Sequence, residues 1–233
     1  MIVMAIGAHP DDLEISCAGT LAKLKRAGHE VVLCYASDGD KGHYRIPPDE
    51  LSRIRRQEAA NAGEIIGCPV MPLGLADGEI FAEHAGTRLA FIEAIRAVRP
   101  DLIITHAPND YMPDHAAVSK LVFDTSFLAT LPGFGDSPVA PKVPALYYMD
   151  NLAGIGFEPS VYVDITDAMD VKMKMLECHQ SQIVWLREHD RIELPEFVRT
   201  LGRMRGIQAG CTYAEGFIQH MAWTRPNTVK LPV

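Results

Sequence analysis

The chain has 233 residues, 48% of them hydrophobic, with a mean hydropathy of +0.02 and a formal charge of -8 at pH 7. That length and apolar content suit one α/β domain with a full core, over residues 1–233. The acidic balance, with no basic cluster larger than Arg53, Arg55 and Arg56, argues against nucleic acid as a partner.

Five cysteines, Cys17, Cys34, Cys68, Cys178 and Cys211, are scattered without a CxxC pair, which reads as reduced thiols in a cytoplasmic protein. The apolar N-terminal run is too short to span a bilayer and lacks a basic n-region and a small-residue cleavage site. It is expected to be a strand, and no membrane insertion is expected.

In chain order, residues 2–8 read as a buried parallel strand, and Pro10, which has no N–H to donate, stops its ladder. His9 therefore falls at the strand's carboxyl end. A helix over 13–27, closed by Gly28, follows after a short turn. A strand at 30–36 leads to a helix at 49–66, opened by Pro47-Pro48-Asp49-Glu50. Next come a strand at 69–73, a helix at 86–98 ended by Arg99-Pro100, a strand at 101–106 and a helix at 115–129. Such alternation predicts repeated βαβ units in a doubly wound, mostly parallel sheet with helices on both faces. Residues 131–159, rich in Pro and Gly around a strand-like 145–149, read as a surface excursion suited to walling a cleft. A strand at 160–164, helices near 167–180 and 193–205, and an apolar stretch from Phe217 to Met221 complete the chain.

In a sheet of order 3-2-1-4-5 the first and fourth strands are neighbours, and ligands bind at that switch point. The first strand ends at His9 and the fourth at His106, followed by Asn109-Asp110-Tyr111-Met112-Pro113-Asp114-His115. The two loops would face each other, making His9, Asp12 and His115 a candidate metal site with coordination left open to water, as a catalytic zinc requires.

Ordinary structural accounts stand beside this one. Asp11 and Asp12 suit a helix cap, as Asp114-His115 does for a later helix. Arg55 and Glu58 suit an exposed i,i+3 ion pair, Asp77-Gly78 a turn, and His179 the C-terminal end of a helix. His29, His43, His84, His189 and His220 have no nameable partner. Neither GxGxxG nor GxSxG is present, which disfavours dinucleotide and serine-nucleophile chemistry.

Ala8-His9-Pro10-Asp11-Asp12-Leu13-Glu14, with Gly19-Thr20-Leu21 behind it, resembles the AHPDDxE signature of the PIG-L/LmbE-like zinc-dependent sugar de-N-acetylases. The resemblance extends to Arg55-x-x-Glu58, Ile66-Gly67, Leu73-Gly74, Asp77-Gly78, Pro113-Asp114-His115, His179-x-Ser181-Gln182 and Tyr213-Ala214-Glu215-x-Phe217. It implies a Rossmann-like domain with zinc held by His9, Asp12 and His115, Asp11 as general base, and Arg55 and Asp77 toward substrate. The chain departs from the family at Met112, where a histidine commonly stands that serves the oxyanion or the leaving amine. Asp110, Tyr111 and His106 are the nearby candidates to compensate, with Asp114 beside the ligand His115.

The expected reaction is hydrolysis of an acetamide on an N-acetylated sugar or glycoconjugate, releasing acetate and a free amine. Zinc is expected from the resemblance, whereas the donor set accommodates other divalent first-row metals. The rivals are a phosphoesterase, which usually wants two metals, and a non-catalytic metal-containing sugar-binding protein. Oligomeric state is left open, a homo-oligomer included.

Overall fold

The computed structural model describes residues 1–231, and its centre is the apolar run Ile2–Gly7, strand β1. Two short helices follow, α1 (Asp12–Ser16) and α2 (Ala18–Arg26), then β2 (Glu30–Ser37), α3 (Pro48–Ile66), β3 (Val70–Leu75), α4 (Ala85–Val98), β4 (Leu102–His106) and α5 (Pro113–Leu128). The remainder is β5 (Ala145–Met149), β6 (Val161–Asp164), α6 (Met169–Leu176), α7 (Gln180–Trp185), a π-helical turn (Leu186–Asp190), α8 (Leu194–Ala209) and β7 (Ala214–Gln219).

All seven strands join one sheet in the order β3-β2-β1-β4-β5-β7-β6. Its first five strands are parallel, and the order anticipated for them is present. β7 then runs antiparallel to both β5 and β6. The pleat divides β1 between two cores: Val3 and Ala5 enter the layer with α1, α2, α6 and α8, whereas Met4 and Ile6 enter the layer with α4 and α5. Burial on both faces is why the strand reads as an unbroken apolar run.

One helix expected as continuous is broken and another stops short, and in both places a glutamate from a distant element opens the helix that follows. The stretch 13–27 splits at Cys17 because Glu215, carried by β7, accepts the N–H groups of Gly19 and Thr20 at 2.9 and 2.7 Å and so starts α2 afresh. Gly19 also lies where a Cβ would come within 2.9 Å of Ile165, so only glycine lets α2 approach so closely. The helix expected near 167–180 ends early, at Leu176, and an unforeseen helix, α7, starts at Gln180. Glu58 accepts Ser181 N–H at 2.8 Å and the Ser181 hydroxyl at 2.7 Å, opening α7 one turn after α6 ends. His179 is therefore a buried residue between two helices, not the solvated end of one.

Glu215 also accepts from Lys172 Nζ at 2.6 Å, and Lys172 donates again to Ile15 O at 2.7 Å. The ammonium is buried and, among the described residues, answered only by these oxygens. Glu215→Ala should lower the unfolding free energy by about 3–5 kcal/mol, because a buried cation is left without its counter-charge. Denaturant titration of the two proteins measures it; a loss under about 1 kcal/mol would remove this pair from the framework.

Candidate active site

Ile6 lies opposite Thr105 in the pairing of β1 with β4, so the turns that leave these strands emerge side by side. The first reverses tightly: His9 N–H donates to Asp12 Oδ2 at 2.7 Å, and Asp12 N–H to His9 O at 3.3 Å. Between them Asp11 sits at φ +119°, a conformation that stores about 1–3 kcal/mol in a residue with a Cβ. Its carboxylate makes no cap to α1, so the capping account of Asp11 fails.

Arg55 holds the turn instead. Its Nη2 reaches Pro10 O at 2.5 Å and Asp11 Oδ1 at 3.2 Å, while Nη1 donates to Gly39 O at 3.1 Å. A Cβ at Gly39 would fall 2.2 Å from that guanidinium, and its φ of +64° again calls for glycine. Arg55 and Glu58 are both buried and point to different partners, which corrects the expectation of an exposed ion pair.

Asp12 is the carboxylate on which the imidazoles converge. Its Oδ2 is 3.6 Å from His9 Nδ1 and 3.2 Å from His106 Nε2, and its Oδ1 is 3.2 Å from His115 Nε2. Burial opposes its ionisation, but the imidazoles around it, the charge of His115 foremost, outweigh burial and hold it well below the usual carboxylate range.

Each of two imidazoles is backed on its far side. His9 Nε2 lies 3.2 Å from both Asp77 Oδ1 and Asp114 Oδ2, and Asp114 also takes Gly78 N–H at 2.7 Å. His115 Nδ1 lies 3.1 Å from Asp110 Oδ1, which accepts Met112 N–H at 3.1 Å. A carboxylate behind the imidazole fixes ring and tautomer for metal binding by the other nitrogen.

His106 behaves differently. Its Nε2 accepts Ala8 N–H at 3.0 Å, which puts the ring proton on Nδ1, and its ring stacks 3.9 Å from His115. Burial and the neighbouring His115 charge lower its pKa, keeping it neutral.

A divalent ion fits this set. One donor atom each from His9, Asp12 and His115 lies within 4.8 Å of the others. Neither nitrogen of buried His115 makes a well-angled hydrogen bond, so the ring has an unmet demand for a cation or a partner. Two further groups, His106-Asp110-His115 and His9-Asp77-Asp114, reuse His115 or His9 and so do not form a second independent site. Burial raises Asp11 to about 6 against the pull of Arg55.

These residues floor a cavity of about 230 Å³ whose mouth carries Tyr111, Met112, Leu152 and Trp185. Larger grooves of about 510 and 720 Å³ lie elsewhere without any such group of donors among the described residues.

The family described as "GlcNAc-PI de-N-acetylase", PIG-L, matches residues 4–126, just over half of the 233. This chain belongs to that family. It is 30% identical to the diacetylchitobiose deacetylase of Thermococcus kodakarensis over 92% of this chain and 81% of that protein. A PIG-L fold is equally plain in three dimensions. The N,N'-diacetylchitobiose deacetylase of Pyrococcus horikoshii superposes with a TM-score of 0.82 at 26% identity, covering 94% of this chain and 83% of that one. GalB, the 4-carboxy-2-hydroxymuconate hydratase of Pseudomonas putida KT2440, also superposes with a TM-score of 0.82, covering 98% and 99% of the two chains. At 22% identity that likeness shows the fold alone. Among the described residues no helix is long and apolar enough to cross a membrane.

The structure thus gathers His9, Asp11, Asp12, Arg55, Asp77, His106, Asp110 and His115 around one cavity. Asp77 occupies the expected turn and contacts His9 as well. Tyr111 is 61% exposed at the mouth, its ring 6.0 Å from that of His115. Sequence reading missed Asp150 and Asn151, which line the cavity directly after β5. Their signal was available, since they follow an apolar run at a strand's carboxyl end, as His9 does. Trp185 was missed too, and nothing in its neighbours marks it.

Burial depresses the imidazoles of His9 and His115, but the neighbouring carboxylates win. Asp114, Asp77 and Asp12 raise His9 to about 9, and Asp12 and Asp110 raise His115 to about 10. Both rings carry an extra proton at pH 7 and must shed it to bind a metal. Calorimetry in buffers of differing ionisation enthalpy should register about two protons released per zinc at pH 7, with affinity rising as pH rises. Zinc binding with no proton release would contradict this protonation state.

Proposed function

We propose that this chain hydrolyses the N-acetyl group of an amino sugar within a sugar or glycoconjugate, releasing acetate and a free amine. The observation that carries the reading is the strained carboxylate of Asp11 beside a His-Asp-His set at the floor of one cavity. Its relatives' names, deacetylases of acetylated sugars, agree with it. Nothing in it requires a second metal, which counts against the phosphoesterase reading.

The residues proposed to hold the metal are His9, Asp12 and His115, and zinc is the metal their two nitrogens and one oxygen suit when a further position stays open. Such an ion supplies Lewis acidity at the acetamide carbonyl and lowers the pKa of water from 15.7 toward about 7. Asp11 takes the proton from the attacking water. Arg55 orients that carboxylate through Oδ1, leaving Oδ2 for the reacting groups. The same carboxyl, now protonated, delivers its proton to the leaving nitrogen.

Of the three side chains near Met112, two are occupied. Asp110 backs His115, and His106 accepts the Ala8 amide. Tyr111 remains at the exposed cavity mouth, its phenol kept protonated as the charges of Asp12, Asp110 and Asp11 oppose its ionisation. We assign it the donation of a hydrogen bond to the carbonyl oxygen as negative charge develops there.

Continuity of the sheet from residue 2 to residue 219 supports one domain. Five unpaired cysteines, three of them buried, fit a reducing cytoplasm.

Acetate release from N-acetylated sugars by the zinc-loaded protein tests the reading. Asp11→Asn should retain zinc and lose about 100-fold or more in kcat, and Tyr111→Phe should lose about 10-fold or more. Near-normal turnover in either variant would remove that residue from the mechanism, and sugar binding without acetate release would favour the binding-protein rival. Because Asp11 serves first as a base, activity should be present above pH 6 and fall as acid protonates it. A nearby cation favours the carboxylate, so the midpoint should lie at or below about 6. A pH profile of kcat/KM with zinc in excess locates it.

A further inference from the structure

A groove of about 720 Å³ runs along α5 on a different face from the one that presents His115. Ala116, Lys120 and Phe123 line one side of it and residues 80–83 another, with Tyr148 and His220 completing the wall. A second groove, of about 280 Å³, continues from the shared Phe123 to Phe127 and Trp223. Neither shares a lining residue with the metal-side cavity.

The side chains around these grooves are unusually apolar for a surface. Phe81 is 60% exposed, Phe123 and Phe127 41% each, Met221 64% and Trp223 93%, and none of the five belongs to either hydrophobic core. Trp223 is held outward by a short bridge anchored at both ends. Before it, His220 N–H donates to Leu146 O at 2.8 Å. After it, the buried Arg225 guanidinium donates to Pro144 O at 3.1 Å, and to Phe123 O and Ser126 Oγ at 2.9 Å each. Between the indole and that clamp, Thr224 sits at φ +78°, a left-handed conformation that a β-branched residue adopts only at a cost.

We propose that this face docks a second copy of the chain about a two-fold axis close to Phe123, with Trp223 of each copy seated in the 720 Å³ groove of the other. Area supports an interface of that kind. The five exposed side chains leave on the order of 600 Å² of apolar surface. That is the upper end of what a typical monomer shows in one patch, and approaches the roughly 800 Å² that each partner covers in a stable pair. Aromatic residues and methionine are also the side chains in which interfaces are enriched.

Charge selects the occupant. Glu83 and Lys120 line the larger groove, and Arg88 and Asp124 the smaller, two acids against two bases. Arg88 and Lys120 meet Asp124 at 3.0 and 2.8 Å. A balanced patch on a chain of net charge -8 lets two copies approach there without repulsion. It lacks the basic excess that holds a peripheral protein on anionic lipid. Shape agrees, because a projecting indole and a groove flank Phe123, and a two-fold operation sets each against the other. The groove is several times the roughly 150 Å³ that admits a benzene.

Sedimentation of the zinc-loaded full chain over a dilution series tests the proposal. The parent should have a mass that is an even multiple of 25.6 kDa. Trp223→Ala should weaken self-association about 30-fold or more, the scale of a central interface residue, and halve that mass. Phe81→Ala, on the groove side, should weaken it in the same direction, whereas Ile155→Ala, at an exposed side chain outside the patch, should leave it as in the parent. Circular dichroism of the variants shows that they stay folded. A parent of 25.6 kDa at every concentration, an odd number of copies, or an assembly indifferent to both patch variants would overturn the interface. A monomeric parent that binds vesicles of phosphatidylserine and phosphatidylcholine, and loses them in Trp223→Ala, would also overturn it and give the face to a membrane. Mass is read without substrate, so the result stands apart from the deacetylase reading.

Discussion

The buried carboxylate of Asp12 is the constraint around which the site is arranged. It accepts the backbone amide of His9, three residues before it, and faces two imidazoles contributed from about a hundred residues further along. An isolated buried carboxylate would protonate, and this one stays ionised only because cationic and hydrogen-bonding partners surround it. Everything that brings β4 beside β1 therefore also supplies the charge that Asp12 requires. In that sense the parallel pairing of two strands and the electrostatics of one acid are a single requirement.

A second layer of carboxylates surrounds the first. Asp77 and Asp114 stand behind His9, and Asp110 behind His115. Arg55 ties the Asp11 turn to Gly39, and Glu58, one turn along the same helix, ties α3 to the start of α7. One helix thereby spaces the Asp11 turn from the wall that carries Trp185. Similarity of fold does not fix the reaction, as the hydratase of closely similar shape illustrates. The chemistry has to be argued from these contacts.

Much of this was legible in the residues. Pro10 after an apolar run marked the end of β1, and the alternation of strands and helices ordered the first five strands. Together these placed His9, Asp12 and His115 in one crevice before any coordinate. What escaped was set by partners remote in sequence. New helices start after Cys17 and His179 because Glu215 and Glu58 arrive from other elements with acceptors for them, and local propensity carries no trace of that. Arg55 and Glu58 have the spacing of a surface pair, but both turn inward because each has a buried partner in the tertiary structure. Trp185 belongs to the mouth only because α7 is docked against the loop at Gly42.

The backbone of Asp11 has one more implication. A residue with a side chain is held where glycine would rest at ease, by a guanidinium that also clasps two carbonyls. Replacement by glycine would relax that turn while deleting the carboxylate proposed as the base, so conformational ease and the proposed chemistry are opposed at this one position.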